Sequence, residues 1–248
     1  PEPALQGMDA VIHLAGEPVS QRWNREVKRR IRESRVTGTR ALVAAMRKIP
    51  KPPQTLVSAS AVGYYGDRGE ELLNESSPPG AGFLPEVTVD WEHAALDAQA
   101  LGVRVVPLRI GIVLGSGGAL KMMLPPFRMG VGGPLGSGRQ WMSWIHVDDL
   151  VDLILFAFNL DRLSGPINAV SPVPLRNSEF TQALGSAVHR PAFFPVPKLA
   201  LSVLFGEMAG VMLSSQRVVP NAAELARFPF RYRDVQPALK AAVASFRT

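Results

Sequence analysis

Cysteine is missing altogether from the 248 residues, and with it go disulfide staples and thiolate metal sites. That absence fits a reducing compartment, and a cytoplasmic location is expected. Histidine is scarce as well. The four imidazoles are scattered along the chain, no spacing among them suits a metal ion, and no metal is expected. No apolar run is long enough to span a bilayer and nothing resembles a secretion signal, so no membrane partner is expected. Charged residues make up only 19% of the chain against 46% hydrophobic, which describes a globular protein with ample material for a core. There is no internal repeat and no low-complexity tract.

What charge there is leans positive, at +6. The basic residues crowd one segment: Arg22, Arg25, Lys28, Arg29, Arg30, Arg32 and Arg35. No aromatic residues interleave with them as a nucleic-acid platform would require. A solvated helix face is the first reading, a nearby phosphate-bearing small ligand the second, and nucleic acid the last. No nucleic-acid partner is expected.

The most informative stretch is Thr55-Leu-Val-Ser-Ala-Ser-Ala-Val-Gly-Tyr-Tyr-Gly-Asp67. A β-branched, apolar start gives way to small residues, then breaks at Gly63 and Gly66 around two tyrosines. A buried parallel strand whose C-terminal end opens onto a crevice has this form. Small side chains let a flat ligand approach the backbone, and hydroxyls supply polar contacts. The plainer alternative is a strand and turn with ordinary small-residue packing.

Asp9 to Gly16 is a second buried strand, closed by Ala15-Gly16, and His13 inside it reads as a packed residue rather than a catalyst. Ser20 to Met46 reads as two helices meeting near Glu33 and Ser34, ended by Pro50, Pro52 and Pro53. Asp67 to Gly82 is a polar surface loop, Phe83 to Leu101 a helix capped by Gly102, and Val103 to Arg109 another buried strand. Strand and helix thus recur at βαβ spacing, which argues for a doubly wound parallel sheet. Beyond Arg109, the stretches Gly111–Gly118 and Gly130–Gly138 are glycine-dense and expected to lack regular elements. Trp141, Met142 and Trp144 suggest an apolar wall over a ligand. A helix capped by Asp148 or Asp149 follows, then a short strand at 165–170 and a helix from Ser178. A short strand over Phe193 to Val196, one apolar helix from Leu199 to Leu213 and a closing helix complete the chain.

Five segments in this order resemble a known family: Ala10-Val-Ile-His-Leu-Ala-Gly16, Thr37-Gly-Thr39, Val57 to Gly66, Leu108 to Gly115, and Trp144-Ile-His-Val-Asp-Asp149. The chain is similar to the atypical or extended short-chain dehydrogenase/reductases, in the NAD-dependent epimerase/dehydratase superfamily. Tyr64-Tyr-Gly-Asp67, Asp90-Trp-Glu92, Gly132 to Gly138 and Ser215-Gln-Arg-Val-Val-Pro220 resemble the branch known as epimerase family proteins, which carries a small C-terminal domain. The resemblance implies a Rossmann-type α/β fold with a smaller C-terminal α+β substrate-side domain. Residues 1–110 and 146–170 would form the first unit, and 111–145 and 171–248 the second. The family's opening strand, Gly-rich turn and helix have no counterpart here. Pro1 matches the region just before the family's fourth strand, and the expectation is that a first βαβαβ portion is omitted from the sequence rather than lost from the protein.

The resemblance also implies a site. Leu14, Ala15 and Gly16 would lie along the cofactor's ribose and adenine, and Arg35 would reach a phosphate or ribose hydroxyl. Ser58 and Ala59 would border the nicotinamide ribose, and Gly111, Ile112 and Val113 the carboxamide end. The basic cluster favours NADP(H) over NAD(H), since a 2′-phosphate needs positive charge. Family members use a serine or threonine with a Tyr-x-x-x-Lys helix, in which the tyrosine exchanges a proton with substrate. Ser60 takes the serine position, but Leu84 and Thr88 stand where tyrosine and lysine belong. Tyr64 or Tyr65 is the expected replacement, with plain packing as the alternative role. The expected function is an NADP(H)-dependent oxidoreductase or sugar-epimerase-like enzyme of undetermined small-molecule substrate, with an apolar or aromatic ligand favoured. The alternative is a catalytically impaired NADP(H)-binding regulator or scaffold. A homodimer is compatible with the sequence.

Overall fold

The computed structural model describes residues 2–246; Pro1, where the sequence expectations begin, and Arg247 and Thr248, where they end, lie outside it. Ten strands run β1 Ala10–His13, β2 Thr55–Ala61, β3 Leu72–Leu73, β4 Arg104–Ile110, β5 Ile112–Leu114, β6 Trp141–Met142, β7 Trp144–His146, β8 Ile167–Ala169, β9 Leu175–Arg176 and β10 Arg217–Val218. The α-helices are α1 Glu2–Leu5, α2 Arg25–Arg32, α3 Gly38–Arg47, α4 Phe83–Leu96, α5 Gly118–Arg128, α6 Val147–Asn159, α7 Asn177–Ala187, α8 Lys198–Phe205, α9 Met208–Leu213, α10 Asn221–Leu225 and α11 Val235–Ala244.

The main sheet has the order β1-β2-β4-β8, and every pair in it is parallel. Helices cover both faces of β2 and β4, whose apolar residues are buried on both. Strand β1, read from the sequence as buried, is only half-buried with Ile12 exposed, because it is the sheet's edge strand. Leu56 and Val105 pack with Val43 and Met46 of α3 and Ala95 of α4. Val57, Val106 and Leu108 instead pack with Leu150, Leu153 and Ile154 of α6. This is the doubly wound α/β arrangement of a Rossmann-type fold.

Asn24 starts α2, its side-chain oxygen accepting the Val27 N–H at 2.8 Å. A π-helical turn, Glu33–Thr37, joins α2 to α3 at the junction read from the sequence. Helix α4 tightens into a 3₁₀ turn over Asp97–Leu101 and ends at Gly102, whose φ of +76° is the left-handed stop expected of a glycine there.

Several expectations fail, each for a physical reason. The glycine-dense stretch after Arg109 contains β5 and the start of α5, because Ile112, Val113 and Leu114 pair in parallel with β7. Gly111 marks the change of sheet. A Cβ there would sit 2.7 Å from the Ser143 carbonyl oxygen, so the backbone crossing admits only glycine. The apolar helix expected over 199–213 is broken into α8 and α9 by Gly206 at φ +61°. Phe193 to Val196 contributes one bridge, Val196 to Leu135, and no strand. Neither Asp148 nor Asp149 caps α6. His146 does, its Nδ1 accepting the Asp148 N–H at 3.2 Å. Asp149 turns away and accepts the backbone N–H groups of Arg231 and Tyr232 at 2.7 and 2.9 Å. Trp144 is wholly buried and Met142 nearly so, which makes them core beside Leu124 and Phe180 rather than an apolar wall over a ligand.

Candidate functional site

The carboxyl ends of β1, β2 and β4 lie side by side, and parallel sheets bind ligands at that edge. After β1 the chain runs exposed through Leu14, Ala15 and Gly16. Arg35 closes over this ledge. Its Nη1 donates to the Glu17 and Ile31 carbonyls at 2.9 and 3.2 Å, and its guanidinium lies 5.1 Å from the centre of the Trp91 ring. A Cβ on Gly16 would come within 3.2 Å of the Arg35 Cζ, so glycine is what lets the two meet. Burial pushes the Arg35 guanidinium below its usual range, with Glu17 acting the other way. Arg35 and the Leu14–Gly16 segment, which the resemblance placed along a cofactor, thus lie against one another.

The other expected contacts divide. Gly111, Ile112 and Val113 are half-buried beside the ledge formed by the end of β4. Ser58 and Ala59 are buried, and the Ser58 hydroxyl donates to the Ala59 carbonyl at 3.3 Å. A ligand at this edge can meet the end of β2 only further along, at half-exposed Ala61 and Gly63. Ala59 and Ala61 share one face of the strand, but Ala59 is covered by Val36 and Trp91, and Ser60 lies on the opposite face.

Ser60 faces inwards. Its hydroxyl donates to Glu92 Oε1 at 2.5 Å, and Glu92 also takes two hydrogen bonds from Arg109, Nε to Oε1 at 2.8 Å and Nη2 to Oε2 at 2.9 Å. Arg109 Nη1 continues to the Tyr65 hydroxyl at 2.9 Å and the Glu75 carbonyl at 3.2 Å. The Tyr65 hydroxyl in turn donates to Asn168 Oδ1 at 2.7 Å. Burial opposes the Arg109 charge, but the Glu92 carboxylate beneath it more than compensates and holds the guanidinium above its usual range. Burial pushes the Tyr65 phenol up to about 12, with Arg109 pulling the other way.

The two tyrosines, equivalent in the sequence, thus part company. Tyr65 is fully buried and its hydroxyl spent. Tyr64 is half-buried, its ring lies flat against Arg109 with the guanidinium carbon 3.5 Å from the ring centre, and its hydroxyl has no hydrogen-bond partner among the described residues. Leu84, at the family's tyrosine position, packs beside Gly63, while the Thr88 hydroxyl returns to the Leu84 carbonyl at 2.7 Å. His13 is a packed residue, 3.2 Å from the Thr39 hydroxyl.

Sequence reasoning missed Glu75, Arg109 and Asn168 as members of one network. One signal was present: an arginine closing a run as apolar as Val103 to Leu108 must have a buried partner. The basic segment, by contrast, is laced with ion pairs. Arg29 bridges Glu26 and Glu33, Arg30 meets Glu17, Arg32 meets Asp90 and Glu86, and Lys28 meets Glu207.

An open, doubly wound parallel sheet with an exposed ledge at its carboxyl edge defines a nucleotide-binding type of α/β protein. The model of the NAD dependent epimerase/dehydratase family matches residues 2–169, and a domain of unknown function, DUF1731, matches residues 196–242. The chain belongs to the NAD dependent epimerase/dehydratase family. Among its relatives, the epimerase family protein SDR39U1 homolog, chloroplastic, of Arabidopsis thaliana is 48% identical over 240 residues, 96% of this chain and 69% of that protein. Epimerase family protein YfhF of Bacillus subtilis is 37% identical over 249 residues, covering all of this chain and 82% of its own length. Of solved structures, the human epimerase family protein SDR39U1 (isoform 2) with NADPH superposes with a TM-score of 0.91 at 34% identity, over 97% of this chain and 83% of that one.

Proposed function

We propose that this protein binds NADP(H) across the carboxyl ends of β1, β2 and β4 and acts as an oxidoreductase or epimerase-like enzyme on a small molecule. The observation that carries the reading is the exposed Leu14–Gly16 ledge with Arg35 set against it. Its residues fit a dinucleotide: small or backbone-only surfaces at Ala15, Gly16, Ala61 and Gly63 permit close approach, and a guanidinium stands ready for a phosphate or ribose oxygen. The NADPH in the human relative's structure supports the phosphorylated form over NAD(H). When bound, the dinucleotide supplies or accepts a hydride.

This chain's residues must then handle a proton, and the geometry favours Tyr64. Its phenol is the one of the three expected groups left unbonded, whereas Ser60 and Tyr65 already donate to Glu92 and Asn168. The Arg109 guanidinium against its ring holds the Tyr64 side chain in place at the end of β2. Ser60 is recast as a positioning residue that fixes Glu92 and through it Arg109.

The test is hydride transfer by the full-length protein with NADPH across a library of carbonyl compounds and alcohols, alongside calorimetric titration. Tyr64→Phe is expected to bind NADPH as the parent does and to lose turnover by roughly a hundredfold or more. Undiminished turnover in that variant would remove Tyr64 from the reaction, and absence of heat with NADPH would remove the cofactor.

A second reading, an NADP(H)-binding regulator without turnover, is favoured by one observation. The hydroxyls of Ser60, Tyr65 and Thr88 are all committed to structural bonds. Tight NADPH binding with no oxidation across the library is its expected result.

A further inference from the structure

Arg217 lies on β10, a strand held rigidly in place. Gln216 before it donates from its backbone to the Trp141 carbonyl and from its side chain to the Gly66 carbonyl, both at 3.1 Å. Val218 after it donates to the Ser143 hydroxyl at 3.0 Å, and the strand itself pairs with β3. On this fixed backbone the Arg217 guanidinium rests 4.4 Å from the centre of the Trp141 ring. Its Nε is shut off from solvent without an acceptor, and its terminal nitrogens have no hydrogen-bond partner among the described residues and remain open.

The neighbouring charges do not satisfy it. Arg176 also stacks on Trp141, at 4.2 Å, but is matched by Glu70, which takes both of its terminal nitrogens at 2.7 Å and the Trp141 indole N–H at 2.9 Å. Two guanidinium groups therefore face one carboxylate, and the surplus positive charge resides on Arg217. A donor buried without a partner is unfavourable, and an incoming acceptor relieves that. An arginine stacked on a ring presents its planar fork already ordered, the form suited to two-pronged recognition of an oxyanion.

We propose that Arg217 and Trp141 form a binding site for an oxyanion, carboxylate or phosphate, carried by a ligand whose apolar body lies against Trp141. The site adjoins the turn that carries Tyr64, because Gln216 is bonded to Gly66 of that turn. The inference deepens the reading above by giving the substrate's chemical class, and it rests on that reading only for assigning the anion to the substrate.

Trp141 supplies the readout, being half-exposed while Trp23, Trp91 and Trp144 are buried. Without cofactor, the full-length protein is titrated with benzoate, inorganic phosphate and neutral benzyl alcohol while tryptophan emission is followed, with Trp141→Phe as the blank. Saturable responses are expected to one or both anions and not to the alcohol, and the tighter anion tells carboxylate from phosphate. Arg217→Gln is expected to weaken binding roughly ten- to hundredfold, the equivalent of one charge-assisted hydrogen bond, and Arg217→Lys to retain part of it. Unchanged affinity in Arg217→Gln, or no saturation by either anion, overturns the proposal. If that variant does not fold, the wild-type contrast between the two anions and benzyl alcohol decides alone. A response to anions in a protein that gives no heat with NADPH keeps this site and discards the cofactor reading.

Discussion

Arg109 and Arg217 both rest against an aromatic ring, yet one is saturated and the other is not. Arg109 meets Glu92 with two nitrogens and Tyr65 and the Glu75 carbonyl with the third, deep between β4 and α4. Arg217 rests on Trp141 with no hydrogen-bond partner among the described residues, and the one carboxylate near it, Glu70, is bonded to Arg176. A buried charge with every bond made is scaffold, since removing any partner strands the rest. A fixed charge with bonds left over is a receptor. The contrast teaches that stacking alone does not reveal which kind an arginine is; the acceptors around it do.

The largest expected effect comes from breaking the saturated case. Glu92→Ala leaves Arg109 buried without its counter-charge, and is expected to cost roughly 3–5 kcal/mol in chemical denaturation. A loss below about 1 kcal/mol would mean that water or a rearranged Glu75 takes over, and that Arg109 is less committed than its geometry shows. Next comes Tyr65→Phe, which leaves Asn168 and one Arg109 nitrogen short of a partner, at about 1–3 kcal/mol.

That same phenol makes the contrast readable in alkali. Burial raises its pKa in the folded protein to about 12, above the unfolded value of about 10. Stability linked to it is therefore fully present below pH ~10 and lost as pH rises towards ~12. Tyr65→Phe should flatten the alkaline stability slope in that window; a slope identical to wild type would place the titration elsewhere. At the small end, Arg217→Gln should leave folding stability within about 0.5 kcal/mol of wild type, since no protein hydrogen bond is lost. A larger loss would make Arg217 scaffold after all.

His146 offers a milder check on the acid side. Its ring is buried against Tyr232 at 4.0 Å and caps α6 through an unprotonated Nδ1, and burial lowers its pKa despite Asp148 and Asp149 nearby. The stability it contributes is complete above its unfolded pKa of about 6.5 and declines as pH falls below it. His146→Gln should lessen that decline, measured by thermal melts from pH 7 downwards through about 5.

The sheet was legible in the sequence because runs such as Val103–Leu108 and Leu56–Val57 admit little but buried parallel strands. The family resemblance singled out Leu14–Gly16 and Arg35, and the fold sets Arg35 against Gly16. The proton-handling end of β2 was not. Which of Ser60 and Ala61 faces the crevice is a matter of parity, and one residue's shift in register exchanges the two faces. Tyr64 and Tyr65 are adjacent and chemically identical, so only the fold could send one inward to Asn168 and leave the other on Arg109. Gly206 and Gly111 illustrate the same limit. A break in a helix and a crossing between sheets both depend on φ or on a distant carbonyl, neither of which hydropathy reports.

The ties between β10 and the loop after Tyr65 also bear on how the molecule is assembled. The Ser215 N–H bonds Asp67 Oδ1 at 3.0 Å across 148 residues of sequence, and Arg68 N–H returns the favour to the Ser215 carbonyl. During synthesis, β3 has no strand to pair with until β10, much further along the chain, has left the ribosome. Contacts so remote in sequence close late, after local helices and neighbouring strands have formed. The working edge of the protein is thus completed last, and a nascent chain can hold its sheet before it holds its site.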